Sequence, residues 1–127
     1  MKVTRSIDIE EAIRLALSSK LAHVYVRPLP ADFEVPSVLI QQVGGTELNT
    51  IDTASIKLDA RAETEAEASE LLRTAIASLK KAINEGDTAI RFFEVNSSGS
   101  WGSDPVRPDL AMCTALLRVV AHQEDFN

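Results

Sequence analysis

The fold is decided by residues 53–84, which read TASIKLDARAETEAEASELLRTAIASLKKAIN. The first ten residues alternate between small or apolar and polar side chains. Alternate residues of a strand lie on opposite faces of a sheet, so this pattern predicts a strand from Thr53 to Ala62 with one buried and one water-exposed face. The residues expected on the buried face are Ala54, Ile56, Leu58, Ala60 and Ala62.

The second half of the stretch predicts a helix from Glu65 to Asn84. Thr64 is placed as its N-cap, and Glu67 completes a capping box that satisfies free backbone N–H groups at the helix start. Gly86 stands where a left-handed residue ends a helix. An apolar stripe at helical spacing predicts packing against the sheet. Its members are Ala68, Leu72, Ala75, Ile76, Leu79 and Ile83.

Upstream of this stretch we predict one helix and two strands. The helix runs from Ile9 to Leu21, with Asp8 as its N-cap. A short strand from His23 to Val26 ends at a proline-punctuated connection, because proline cannot donate to a strand ladder. A second strand runs from Pro36 to Val43. Gly44-Gly45 then predicts a tight hairpin reversal, since both glycines can adopt positive φ.

Downstream, a strand from Ala89 to Val95 leads into a predicted loop from Asn96 to Asp109. A loop of this length is uncommon in a compact domain and is usually functional or disordered. It holds Trp101, the only tryptophan of the chain. Trp101 is either an interface anchor, as tryptophan often is at hot spots, or a ring folded back over the edge of the core.

The last element, residues 110–122, is apolar on both faces of a period-two pattern. Its Ala, Leu and Met content also suits a buried helix. We favour a central strand, with a helix on one side and a neighbouring subunit on the other, because that arrangement explains both apolar faces. The element order is then α-β-β-β-α-β-β.

Composition limits the functions that remain open. The 127 residues correspond to one domain, and the net charge of −6 disfavours nonspecific binding to nucleic acid. No run reaches the roughly 18 apolar residues that a membrane span needs, and the N-terminus has no apolar signal core. The single Cys113 cannot form an internal disulfide and is interpreted as a small buried hydrophobe.

Catalytic and metal-binding motifs are incomplete. Residues 98–102 nearly match the G-x-S-x-G nucleophile elbow around Ser100, and Asp109 and His122 follow in triad order. The first glycine is Ser98, however, and the prolines that follow are incompatible with the helix that an elbow requires. His23 and His122 have no Cys or carboxylate at ligand spacing. We therefore expect no catalytic, metal or cofactor site, and no enzyme activity.

The layout resembles the tail terminator (tail-to-head joining) proteins of bacteriophages with long non-contractile tails, the siphoviruses. The resemblance covers most of the chain and is carried by patterns. These are the N-terminal helix, the connection Val26-Arg27-Pro28-Leu29-Pro30, the strand Pro36 to Val43 ending in Gly44-Gly45, the strand Ser55 to Ala62, the helix Thr64 to Asn84, the Ser/Gly/Trp loop, and the stretch Asp104-Pro105-Val106-Arg107-Pro108 before the final strand.

This resemblance implies a single α+β domain, residues 1–127, with a mixed, mostly antiparallel sheet and two helices packed on one face. It implies a hexameric ring that ends tail-tube polymerisation and joins the tail to the head. Its partners would be further copies of itself, the tail tube protein and the head–tail connector proteins. DNA would pass through the lumen without specific binding, and no membrane would be involved. The ring would assemble in the host cytoplasm and lie at the head–tail junction of the virion.

The loop and the glycine pair are the candidate interface elements. Their residues are Gly44, Gly45, Ser100, Trp101, Gly102, Asp104 and Arg107. Two alternatives stay open: another head–tail connector or minor tail component of similar fold, and a regulatory α/β domain that binds a small ligand. The ligand pocket of the second would be lined by Arg91, Arg118 and His122.

Overall fold

A computed structural model of the chain describes residues 3–48, 50–105 and 107–126. Its elements are β1 (Thr4–Arg5), α1 (Ile9–Ser18), β2 (Val24–Val26), β3 (Ser37–Leu48), β4 (Ile51–Ala62), α2 (Glu65–Glu85), β5 (Ile90–Ser103), β6 (Ala111–His122) and β7 (Glu124–Asp125). Five strands form one sheet in the order β2-β3-β4-β6-β5, and β1 and β7 form a separate ribbon. Within the described ranges, no helix has the length and apolar character needed to cross a membrane.

The sheet is mixed and mostly antiparallel, as predicted. Only β2 and β3 run parallel, and the other three pairings are antiparallel. Both helices pack on one face, where they share a core with β3, β4 and β6. The predicted order α-β-β-β-α-β-β is confirmed for α1, α2 and the five-stranded sheet. Strands β1 and β7 were not predicted, because two residues are too few to show a period.

Helix α2 begins and ends as the sequence predicts. The Thr64 hydroxyl accepts a hydrogen bond from the Glu67 backbone N–H at 3.2 Å, and Gly86 closes the helix with φ 73°. Leu72 and Leu79 point into the core and are almost fully buried. Helix α1 ends three residues earlier than predicted, at Ser18.

Strand β4 confirms one half of its predicted alternation and corrects the other. Ile56, Leu58 and the three alanines of the pattern are buried under the helices. The opposite face was expected to be water-exposed, but Asp59 and Arg61 on it are also buried. The end of β4 is covered by two connecting segments, which the alternation of a single strand cannot reveal.

The predicted reversal at Gly44-Gly45 is wrong. Both glycines lie inside β3, which continues to Leu48 and pairs with β4 as far as Ile51. The register shifts between Gln42 and Gly44, so the glycines accompany a β-bulge instead of a turn. Gly45 is needed there for space, because a Cβ would stand 2.8 Å from the Thr53 carbonyl oxygen.

The predicted loop from Asn96 to Asp109 is also largely wrong. Strand β5 extends to Ser103 and pairs with β6 along its length, with register shifts that include one between Ser98 and Ser100. Gly99 lies at that shift with φ 85°, a conformation that favours glycine. Serine and glycine are poor strand formers by propensity, and pairing with the apolar β6 overrides them. The strand prediction for residues 110–122 is confirmed as β6, Ala111–His122.

Candidate interaction surfaces

The face of the sheet away from the helices carries large exposed apolar side chains. Residues paired across antiparallel strands, and every second residue along a strand, share a face. Leu48 pairs with Ile51, and Phe92 pairs with Val120, four residues from Leu116 on β6. The exposed fractions are 73% for Leu48, 41% for Ile51, 49% for Phe92 and 41% for Leu116. We call the surface of the sheet that carries these four residues the open face.

Charged side chains on the open face are paired with one another. The Arg118 Nε lies 2.7 Å from a Glu94 carboxylate oxygen, and its guanidinium lies 5.9 Å from the Phe92 ring centroid. The hydrogen bond to Glu94, followed by the attraction between the two charges, raises the pKa of Arg118. Paired charges beside apolar groups are easier to bury against a partner than unpaired charges are.

One end of the open face is closed by a buried ionic cluster. Arg61 Nε donates to Asp104 Oδ2 at 2.5 Å, and Asp104 Oδ1 accepts from the Arg107 backbone N–H at 3.0 Å. The Phe33 ring is close to two guanidinium groups, 5.8 Å from that of Arg61 and 5.9 Å from that of Arg107. This cluster ties the β5–β6 connection and the segment around Phe33 onto β4. Asp104, predicted as an interface residue, is 2% exposed and therefore lies inside the subunit.

Trp101 lies on β5, the outer strand of the sheet, opposite Cys113. It is 50% exposed and lines a cleft of about 280 Å³ together with Glu63, Glu65 and Asp109. Its neighbours Ser100 and Gly102 are exposed as well. The structure therefore groups Ser100, Trp101 and Gly102 on one edge of the sheet, next to Arg107 in the following connection.

Gly44 and Gly45 lie away from this group. They belong to β3, and strands β4 and β6 separate β3 from β5. The seven predicted interface residues thus fall into three places: the β3 bulge, the outer strand β5 and the buried cluster around Asp104. These residues were predicted together as an interface only because glycine, tryptophan and proline all suggested loops.

An acidic cavity near the β3–β4 turn was not predicted from the sequence. Asp52 and Glu47 pair across the two strands. The Gln123 side-chain amide donates to a carboxylate oxygen of each, at 2.9 Å for Asp52 and 3.2 Å for Glu47. The cavity beside them measures about 250 Å³ and is also lined by Ser6 and Thr46. Extending the β4 alternation back from Ala54 would have placed Asp52 on the buried face.

Asp52 has an unsatisfied oxygen in this cavity. The residue is only 5% exposed, and its Oδ2 has no hydrogen-bond partner among the described residues. Glu47, at the cavity rim, is exposed and accepts from the Ser6 hydroxyl at 2.9 Å. A buried carboxylate oxygen without a donor is costly, so this cavity favours a positively charged occupant.

The near-match to a catalytic triad is not assembled in the fold. Ser100 lies opposite Thr114 and His122 lies opposite Ile51, near the two ends of β6. Eight residues of strand separate these positions, a span of roughly 26 Å. Of the predicted pocket residues, Arg118 is engaged by Glu94, and the described cavities are lined by other side chains.

Metal and thiol chemistry find little support in the described residues. Between residues 3 and 126, positions 49 and 106 excepted, no three His, Cys, Asp or Glu side chains are grouped to hold a metal ion. His23, directly before β2, lies 2.9 Å from a carboxylate oxygen of Glu34 in the β2–β3 connection. Burial raises the pKa of the Cys113 thiol, which disfavours the reactive thiolate.

Comparison with known proteins gives no relative from which a function could be transferred. No protein-family model matches the chain, and no curated protein matches it at a significant level.

Proposed function

We propose that this chain is a structural subunit of a bacteriophage tail terminator, a ring that caps the tail tube and joins the tail to the head connector. The observation that carries the proposal is the open face of the sheet. It presents Leu48, Ile51, Phe92 and Leu116 to solvent, while the core residues of β3, β4 and β6 on the opposite face are buried under α1 and α2. The sequence resemblance to tail terminators supplies the identity of the assembly.

The open face suits a protein that is stable alone and buries more surface on assembly. Its core lies on the helix side, so the subunit does not need a partner to fold. Exposed apolar side chains at fixed strand positions offer a rigid contact surface, and aromatic residues such as Phe92 are enriched where binding energy is concentrated. Several large apolar side chains exposed on one face are typical of a surface that contacts another protein.

The net charge also fits a passage for DNA. Each copy brings a formal charge of −6, and a lumen lined with acidic groups repels a DNA backbone. In this proposal the ring contains six copies, ends tube growth and lets DNA pass without specific binding. Its further partners are the tail tube protein and the head–tail connector.

The test is electron microscopy of lysates in which this gene alone carries an early stop codon. The proposal predicts abnormally long tails without heads, restored to normal virions by the wild-type gene supplied in trans. Free tails of normal length beside filled or leaking heads would instead assign the protein to the head side of the joint. Intact virions from the disrupted gene would contradict a role at either level.

A further inference from the structure

Among the described residues, no basic side chain pairs with the two carboxylates of the acidic cavity. The donors that reach Glu47 and Asp52 are the Gln123 amide and the Ser6 hydroxyl, which are neutral. Asp52 Oδ2 lacks any hydrogen-bond partner in the described part of the chain. An arginine guanidinium offers five donors in a planar fork and satisfies paired carboxylates better than a neutral donor does.

The cavity lies at an unpaired edge of the sheet. Strand β2 pairs only with Val38 to Ile40 of β3, so no strand among the described residues lies on the outer side of the part of β3 that contains Glu47. A neighbouring molecule that approaches here displaces no described strand and meets Ser6, Ile7 and Ile9, which line the cavity together with β3 and β4.

The opposite edge of the same sheet presents an arginine that forms no ion pair with the described residues. Arg91 lies on β5, the outer strand, where the register shifts between Ile90 and Phe92 and leaves Arg91 without a cross-strand partner. It is exposed, and none of the ion pairs among the described residues involves it.

The two features lie at the same level of the sheet. Pairing runs from Glu47 to Asp52 on β4, from Asp52 to Ala121 on β6, and from Ala121 to Ile90 on β5. Arg91 is the next residue after Ile90. A cyclic ring of more than two copies brings two different surfaces of each subunit together, head to tail. Such a contact requires complementary groups on opposite edges of the subunit, at the same level of the sheet.

We infer that Arg91 of one subunit enters the Glu47/Asp52 cavity of its neighbour and sets the register of the ring. This contact rests on the ring proposed above and adds to it the two edges that meet. Other exposed basic side chains are placed less well. Lys80 lies on α2 and Lys20 follows α1, so neither stands on an edge strand.

The test uses two charge reversals, Arg91→Glu and Glu47→Lys, in the full-length protein. Each faces the wild-type partner edge with a like charge and is expected to abolish rings, seen by native mass spectrometry of the purified chain and by tail length in complemented lysates. Mixing the two variants restores opposite charges at every contact, provided that they alternate around the ring. We expect rings containing equal numbers of both variants.

Two further variants separate this contact from general charge effects. Lys80→Glu makes the same change of charge as Arg91→Glu but on α2, and it should assemble like the wild type. Asp52→Asn keeps an acceptor for Gln123 and removes the buried charge. We expect it to raise the protein concentration at which half of the chains are in rings by about tenfold or more.

The outcomes distinguish a failure of the Arg91 contact from a failure of the ring. If the wild type and Arg91→Glu both form rings, the Arg91 contact is overturned and the proposed ring stands. Two defective variants that fail to rescue each other when mixed, with circular dichroism showing both folded, would also overturn it. A wild-type chain that forms rings neither in solution nor on tails would remove both the contact and the ring.

Discussion

The two faces of the five-stranded sheet differ in what covers them. On the helix face Ile56, Leu58 and Leu117 are at most 1% exposed, whereas Leu48 and Phe92 on the open face are 73% and 49% exposed. Both faces use apolar side chains at regular strand positions. Apolar alternation therefore indicates which surfaces become buried, but it does not indicate whether the covering element belongs to the same chain.

The largest expected effect separates folding from association. Leu72→Asp places an unpaired charge between α2 and the sheet and should unfold the domain, a loss of more than about 4 kcal/mol. Leu116→Asp makes the same change on the open face and should leave the fold intact, because water still solvates the new carboxylate. Circular dichroism and thermal melting of both variants check this. A folded Leu72→Asp variant would contradict the assignment of the two faces.

A smaller loss is expected at the buried end of the open face. Asp104→Ala leaves the Arg61 guanidinium buried without its carboxylate, which should cost about 3–5 kcal/mol. Removing both partners together, as Arg61→Met with Asp104→Ala, should cost less than the single change, since no charge stays buried. Urea unfolding of both variants measures this difference. Equal losses would contradict a penalty from the unpaired Arg61 charge.

The adjacent residues Gly44 and Gly45 of β3 allow the two faces of the sheet to be compared by substitution. Gly45 pairs with Ala54 on the helix face, and Gly44 pairs with Ser55 on the open face. Gly45→Ala should destabilise by about 1–3 kcal/mol, because its Cβ meets a backbone carbonyl oxygen. Gly44→Ala finds open space and should change stability by less than about 0.5 kcal/mol. Chemical denaturation of the two variants side by side measures this ranking, and the reverse order would contradict the described β3–β4 register.

The smallest effect on folding is expected at Trp101. Because half of the side chain is in solvent, Trp101→Ala should leave the monomer folded and weaken assembly. Trp101→Phe keeps an aromatic ring and serves as the matched control. Size-exclusion chromatography together with thermal melting distinguishes the two roles. A variant that melts much earlier would place the ring against the core, and one that assembles fully would remove it from the interface.

Local sequence signals predicted the parts of the fold that local energetics control. The capping box at Thr64 and Glu67, the apolar stripe of α2 and the alternation of β4 each depend on neighbours within a few residues. Glycine and serine misled because their conformational freedom also permits strand geometry. Gly44, Gly45 and residues 96–103 are held extended by pairing with β4 and β6, which lie far away in sequence.

The candidate surfaces were less predictable than the fold. Buried Arg61 contacts Phe33 from the β2–β3 connection and Asp104 from the β5–β6 connection, and no short-range pattern encodes these contacts. The Glu47/Asp52 cavity similarly requires Gln123, which follows the last long strand. Strand β6 was the exception, because the period-two pattern of its sequence already shows that both faces of the strand are apolar.

The most direct test of the central claim is tail length in lysates of a phage whose disrupted gene is complemented with Leu116→Asp. Because this change spares the core and places a charge on the open face, we expect long tails without heads, alongside normal virions from the wild-type gene. Normal virions from Leu116→Asp would contradict the claim that the open face builds the ring.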